Sequence, residues 1–265
     1  MTQQTQLSAA DKRAQARKVL AASFIGTTFE WYDFFIYASA AALVLGPLFF
    51  PNVSDFAGQL AAFSTFAVGF IARPLGGVVI GHFGDRVGRK KMLVFCLMCM
   101  GIATIGIGLL PTYAQIGIWA PILLVALRVF QGIGIGGEWG GAVLMAVEYA
   151  PPNRRGLYGG FVQIGCPAGL ILANLAFLGV LAWVPEEHFM SWGWRIPFLL
   201  SAVLVIVGLV IRLRLEESPV FAAAQASAPK HEKVPVVEVL RSHWKPVLAG
   251  GMTMSSTAMI GYVLI

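Results

Sequence analysis

Five ionisable residues, Glu30, Asp33, Arg73, Arg128 and Glu138, stand inside long apolar stretches of this chain. In hydrocarbon each costs about 2.5–3.5 kcal/mol at mid-depth, and five unpaired would cost on the order of 12–17 kcal/mol. They must be paired, hydrated or neutralised. Glu30 and Asp33 are three residues apart, which puts both carboxyls on one helical face, with Tyr37 a turn further along it. Two neighbouring acids in a poorly hydrated cleft resist being charged together. A carboxyl there can pick up a proton on one side and release it on the other, the chemistry of proton coupling. The plainer reading is that these acids anchor their span by pairing with Arg73 or Arg128. Arg128 and Glu138 share a span ten residues apart, about 80° around the axis, so each is expected to face another helix. Gln131, seven residues before Glu138, lies near its face and would present an amide and a carboxylate together to a central cavity. Gly132, Gly136 and Gly140, with Gly137 and Gly141 beside them, form a small-residue ladder that lets a neighbouring backbone approach.

The elements that carry these groups are membrane helices. The chain is 57% hydrophobic and 12% charged with a mean hydropathy of +0.75, too little polar surface for a soluble domain. Spans of about 20 residues are expected near 20–48, 57–82, 92–110, 116–147, 157–183 and 192–215, with a seventh beginning near Pro246. Lys12, Arg13, Arg17 and Lys18 precede the first, Arg86–Lys91 follow the second, Arg154 and Arg155 follow the fourth, and Arg212, Arg214, Lys230, Lys233, Arg241 and Lys245 surround the connection after the sixth. The loops near 51–56, 111–116 and 185–191 hold no Lys or Arg, which puts the amino terminus in the cytoplasm. The net charge of +6 is explained by these clusters, and nucleic-acid binding is excluded as a reading. Cys96, Cys99 and Cys166 fall in apolar segments and read as small core residues, with no disulfide framework. The first span is too long for a signal-peptide core and carries acids at its middle.

The expected organisation is a cytoplasmic segment at 1–19, a six-helix bundle at 20–215, a cytoplasmic linker at 216–244 and the start of a second bundle at 245–265. Because the sequence stops at Ile265 inside an apolar run, an incomplete chain is expected; a six-span protein working as a dimer is the alternative.

The run Gly81-His82-Phe83-Gly84-Asp85-Arg86-Val87-Gly88-Arg89-Lys90-Lys91 is a basic, glycine-punctuated hinge with one embedded acid. It resembles the signature loop between the second and third helices of the major facilitator superfamily, with Phe83 and Gly84 in place of the commonest leucine and alanine. Arg128-x-x-Gln131-Gly132 resembles that superfamily's fourth-helix motif. Phe29-Glu30-Trp31-Tyr32-Asp33-Phe34, Arg73-Pro74-Leu75-Gly76-Gly77, Gly136-Gly137-Glu138-Trp139-Gly140-Gly141 and Ser191-Trp192-Gly193-Trp194-Arg195-Ile196-Pro197-Phe198 are similar to the metabolite:proton symporter branch, as is Glu216-Glu217-Ser218-Pro219. That branch includes shikimate, citrate, oxoglutarate and proline/betaine carriers. The resemblance implies an all-α membrane protein of two six-helix bundles, with substrate bound between them at mid-membrane and exposed to each side by rocking. It implies that Asp85 latches the outward-facing state against the second bundle, with Gly81, Gly84, Arg86, Gly88, Arg89 and Lys90 forming the cytoplasmic gate. Gly160–Gly169 with Pro167 only partly resembles the fifth-helix motif of exchangers, and exchange is not inferred.

The expected activity is therefore proton-coupled symport of a small organic acid, with Glu30, Asp33, Glu138 and Arg128 at the proton site. Arg73 would guide an anionic substrate or neutralise an acid, and Tyr32, Tyr37, Gln131, Gln163 and Asn174 are candidate hydrogen-bond partners for it. A zwitterionic osmolyte is the rival substrate, and a receptor that binds without translocating is the rival class. The expected partners are substrate, proton, the lipid bilayer and a second six-helix half or a second copy. There is no cofactor motif or nucleotide loop, no catalytic constellation, and His82, His188, His231 and His243 are too scattered for a metal site.

Overall fold

Long apolar helices need to satisfy every backbone group within themselves to cross a bilayer, and six among the described residues have the length and composition to do so: Ala14–Phe49, Asp55–Gly84, Arg89–Leu109, Trp119–Tyr149, Arg155–Trp183 and Gly193–Leu213. They are called the first to sixth spans below. The computed structural model describes residues 9–214 and 241–253, and every regular element among them is helical. The six spans lie in the first of two compact units; in the second, residues 244–253 form a helix. The expected linker up to residue 240, with Glu216–Pro219, and the run beyond 253 lie outside the described residues.

Local sequence sets the breaks. The first span passes through a π-helical turn at Ala41–Leu45 just before Pro47, whose missing N–H cannot bond the carbonyl four residues back. The fifth is two helices, Arg155–Gln163 and Gly165–Trp183, because Pro167 has no N–H for Gln163. Ser54 caps the second span by accepting from the Ala57 amide, and Thr112 and Gln115 form a capping box on a short helix, Tyr113–Ile116, before the fourth. Gly88 separates the second and third spans at φ 114°, ψ 143°, a conformation that side chains with a Cβ avoid.

The spans alternate in direction. Val19, Ala22, Leu93, Met145, Tyr149 and Ile211 cluster at one end, while Phe49, Leu110, Ala120, Trp194 and Phe198 belong to a large core toward the other. At the first end Arg89 pairs with Glu148 and Lys90 Nζ donates to the Leu213 carbonyl, closing the loop after the second span onto the ends of the fourth and sixth. The basic loops thus share one end of the bundle. Arg195 lies at the other end without presenting loop charge: its guanidinium donates to the Gly108 and Leu110 carbonyls, 2.8 and 2.7 Å away, and caps the third span.

The most extensive contacts join the second span to the fourth and the first to the fifth, with the third packed on the fourth and sixth. Small residues make them possible. A Cβ at Gly136 would fall on the Arg73 carbonyl and within 2.7 Å of the Gly77 amide nitrogen, and one at Gly132 would fall on the Gly69 carbonyl. Ile71, Leu75, Val79 and Phe83 form an exposed apolar stripe along the second span, as Leu199, Val203, Ile206 and Val210 do along the sixth. Exposed apolar stripes of this kind suit lipid or a further apolar helix.

Candidate substrate and proton site

Three acids and three arginines meet in the interior of the bundle, and each acid is held differently. Asp33, on the first span, is buried and has both carboxylate oxygens engaged. The Thr104 hydroxyl from the third span lies 2.5 Å from Oδ1, and the Gln131 side-chain amide from the fourth donates to Oδ2. Arg128 in turn donates to the Gln131 oxygen, so the amide relays between guanidinium and carboxylate. The Arg128 guanidinium carbon lies over the Tyr37 ring, 3.7 Å from its centroid, and 5.0 Å from that of Phe66. Its Nε is buried without a partner.

Glu138 and Arg212 form a closed bidentate pair, 0% and 2% exposed, tying the fourth span to the sixth. Arg212 Nη1 also donates to the Leu93 carbonyl of the third span, and Gly26 of the first leaves the room: a Cβ there would strike the guanidinium. The sequence reading placed Arg212 among the cytoplasmic loop charges, and this is corrected. The signal was its register with buried Ser201, Val205 and Gly208, at spacings of four, three and four residues. The expectation that Gln131 and Glu138 face one cavity together is corrected too. Seven residues nearly restore the angular position but advance about 10 Å along the axis, and the two side chains serve different partners.

Glu30 is held loosely. Its Oε1 lies 3.8 Å from Arg73 Nη1, close enough for charge attraction but not for a hydrogen bond, and its Oε2 is buried with no partner. Arg73 rests on the Phe70 ring, 4.4 Å from its centroid, and its side chain is 27% exposed. A narrow crevice of about 10 Å³, room for about one water, is lined by Arg73, Arg128, Gln131, Phe70, Gly69 and Gly132.

The other expected site residues separate into structural and peripheral ones. Tyr32 donates its hydroxyl to the Pro197 carbonyl at 2.6 Å and fastens the first span to the sixth, so it is committed to packing. Tyr37 and Thr65 share a hydrogen bond. Gln163 and Asn174 are exposed on the fifth span, unlike the buried cluster. Of the gate residues, Arg89 and Lys90 are engaged within the bundle as described, Arg86 is exposed, Gly81 and Gly84 are helical, and Gly88 supplies the break. Gly81 and Gly84 line a cleft of about 280 Å³ with Gly137, Gly140 and Arg89. The side chain of Asp85 is not among those described. Trp194, wholly buried against Phe49 and Phe198, and Arg195 show that the Trp194–Phe198 part of the Ser191–Phe198 run packs the bundle. Among the described residues no His, Cys, Asp or Glu group could hold a metal ion.

Residues 18–236 match the sugar (and other) transporter family. The chain belongs to that family, within the major facilitator superfamily. It is similar to the inner membrane metabolite transport protein YhjE of Escherichia coli K12, 52% identical over 248 residues that cover 93% of this chain and 56% of YhjE. It is also similar to the shikimate transporter of the same organism, 50% identical over 231 residues, covering 87% of this chain and 53% of the relative. The chain thus spans about half the length of the curated relatives it matches. Among solved structures the proton:xylose symporter XylE, at 18% identity, superposes with a TM-score of 0.70 over 81% of this chain and 47% of XylE, which speaks for the fold. These relatives are transporters, and the chain's family is one of transporters rather than enzymes.

Proposed function

We propose that this chain forms the amino-terminal six-span half of a secondary transporter that brings a small organic acid into the cell together with a proton. The second half would begin near residue 245, beyond a cytoplasmic linker at 216–244. The amino terminus would lie in the cytoplasm of a bacterium, since the basic loops share one end of the bundle. The observation that carries the reading is the Glu30–Arg73 pair. A partly exposed guanidinium beside a crevice, opposed by a carboxylate that does not bond it, can receive an anion, whereas a closed pair cannot. Arg128 lines the same crevice with an Nε that has no partner, and supplies a further donor for a carboxylate or hydroxyl. The likeness to a shikimate transporter favours a hydroxylated carboxylic acid as substrate. The loops at the basic end, with Asp85 to Lys90, would close the cytoplasmic side.

Proteoliposomes of the full-length carrier test this with labelled shikimate, di- and tricarboxylates, proline and betaine under an imposed inward proton gradient. Accumulation of one of the acids, abolished by a protonophore, is the expected result. Binding without accumulation would convert the reading to a receptor, and failure with every acid would remove the substrate class.

A further inference from the structure

The three buried acids differ in what would happen if one took a proton. Protonating Asp33 would set the new O–H against the Gln131 amide, which can only donate, or turn the Thr104 hydroxyl from Oδ1 onto the Met100 carbonyl; either way a hydrogen bond the carboxylate now accepts is lost. Protonating Glu138 would break a bidentate bond and strand Arg212, which lies almost wholly out of contact with solvent. Protonating Glu30 would break no hydrogen bond. Its Oε2 is buried and bare, and its hold on Arg73 is electrostatic at 3.8 Å.

The charges facing Glu30 come from each element packed around it. They are Arg73 on the second span, Glu138 on the fourth, Arg212 on the sixth and Asp33 on its own, with the Cys166 thiol on the fifth. Glu138 and Arg212 neutralise each other, and Asp33 is balanced by Arg128 through Gln131. Arg73 is the charge in this set whose partner can be exchanged. With Arg73, Arg128 and Arg212 set against Glu30, Asp33 and Glu138, the empty cluster is neutral. A monocarboxylate entering it adds one negative charge, and one proton restores the balance.

We propose that Glu30 and Arg73 exchange partners during transport: the substrate's carboxylate takes Arg73, and the released Glu30 carboxylate binds the proton on Oε2. This rests on the symport reading above and names the groups that perform it. The empty cluster and the cluster loaded with both solutes are neutral; the half-loaded ones carry a charge across the hydrocarbon and do not reorient. The consequence is one proton per monocarboxylate with no net charge moved. A zwitterion carries its own cation and leaves nothing for the proton to balance, and each further carboxylate on a substrate leaves the cluster one charge short.

The test uses the full-length carrier in proteoliposomes with labelled shikimate as the monocarboxylate. In the unmodified carrier, an entrapped pH dye should report one proton per substrate, and a solid-supported membrane should record no steady charge transfer. Glu30→Gln, which carries the protonated shape permanently, should accumulate at least tenfold less under a proton gradient. It should still exchange internal for external substrate, with an affinity that no longer varies with pH. Arg73→Gln should raise the apparent KM at least tenfold. Proton-driven accumulation by Glu30→Gln, or a net charge moved per shikimate in the unmodified carrier, would overturn the assignment while leaving symport intact. An unmodified carrier that accumulates no acid at all would remove both. The stoichiometry and charge measurements need no variant and decide the matter even if Glu30→Gln fails to fold.

Discussion

Replacing Glu138 by leucine should be among the most damaging single changes in the bundle, and changing Arg212 at the same time should undo most of the damage. With Glu138 gone, Arg212 keeps the Leu93 carbonyl and loses two charge-assisted hydrogen bonds in a setting where it is 2% exposed. Hydrogen bonds to charged groups are worth about 1.5–3 kcal/mol each, so the loss is about 3–6 kcal/mol. That agrees with the about 3–5 kcal/mol typical of breaking a buried ion pair from one side. Interhelical hydrogen bonds between neutral groups average only about 0.6 kcal/mol, because separated helices find other partners in the membrane. A stranded guanidinium has no such recourse, which is why the larger figure governs. Substituting both members by apolar residues, as in Glu138→Leu with Arg212→Met, removes the stranded charge and should cost no more than about 1–2 kcal/mol. The assay is reversible unfolding in mixed micelles, run as a double-mutant cycle with both single variants. A Glu138→Leu variant within about 0.5 kcal/mol of the parent, or a double variant as unstable as the two singles summed, would refute the closed pair.

Two further outcomes follow from packing and backbone. Gly132→Val should lower the unfolding midpoint in detergent by an amount corresponding to about 1–3 kcal/mol, because its Cβ would meet the Gly69 carbonyl and the Ala72 side chain. Gly140→Val, where a Cβ meets nothing within 4 Å, should lie close to the parent. Gly88→Ala should destabilise by about 1–3 kcal/mol since the hinge sits at φ 114°. Gly84→Ala, helical and in ordinary contact with Met92, should be neutral or mildly stabilising; equal effects at the two positions would contradict the strained hinge.

The architecture was legible because hydrocarbon imposes long apolar helices and a basic end, and both are written in composition. Glu30, Asp33, Arg128 and Gln131 were legible as members of a polar interior because charge inside an apolar run has few other uses. That Glu30 and Asp33 answer to Arg73 and Arg128 was legible as the plainer reading, whereas the partners of Gln131 and Glu138 were not. Helical angle alone joined Gln131 to Glu138, and the axial rise parts them. Arg212 was hidden by its address: an arginine at the basic end of a span, two residues from Arg214, looks like a topology signal. Only its register with Ser201, Val205 and Gly208 puts it on the inner face. Tyr32 misled in the opposite direction, since a tyrosine beside two acids suggests a ligand contact and its hydroxyl serves the Pro197 carbonyl.

The unequal tightness of the three acids has a mechanical meaning. Lipid tails solvate leucine as well as another helix does, so polar contacts and close small-residue packing decide how spans associate. Glu138–Arg212 joins the fourth and sixth spans and borrows a carbonyl from the third, while Asp33 joins the first, third and fourth through Thr104 and Gln131. Those links fix four spans in one frame. The second span, held to the fourth by backbone contact through Gly132 and Gly136, meets the first at this depth through the open Glu30–Arg73 pair. A ligand that must be bound and released needs a site whose own bonds are not already complete, set in a frame that stays put when it leaves. In this bundle the closed pairs supply the frame, and on the proposed reading the open one supplies the site.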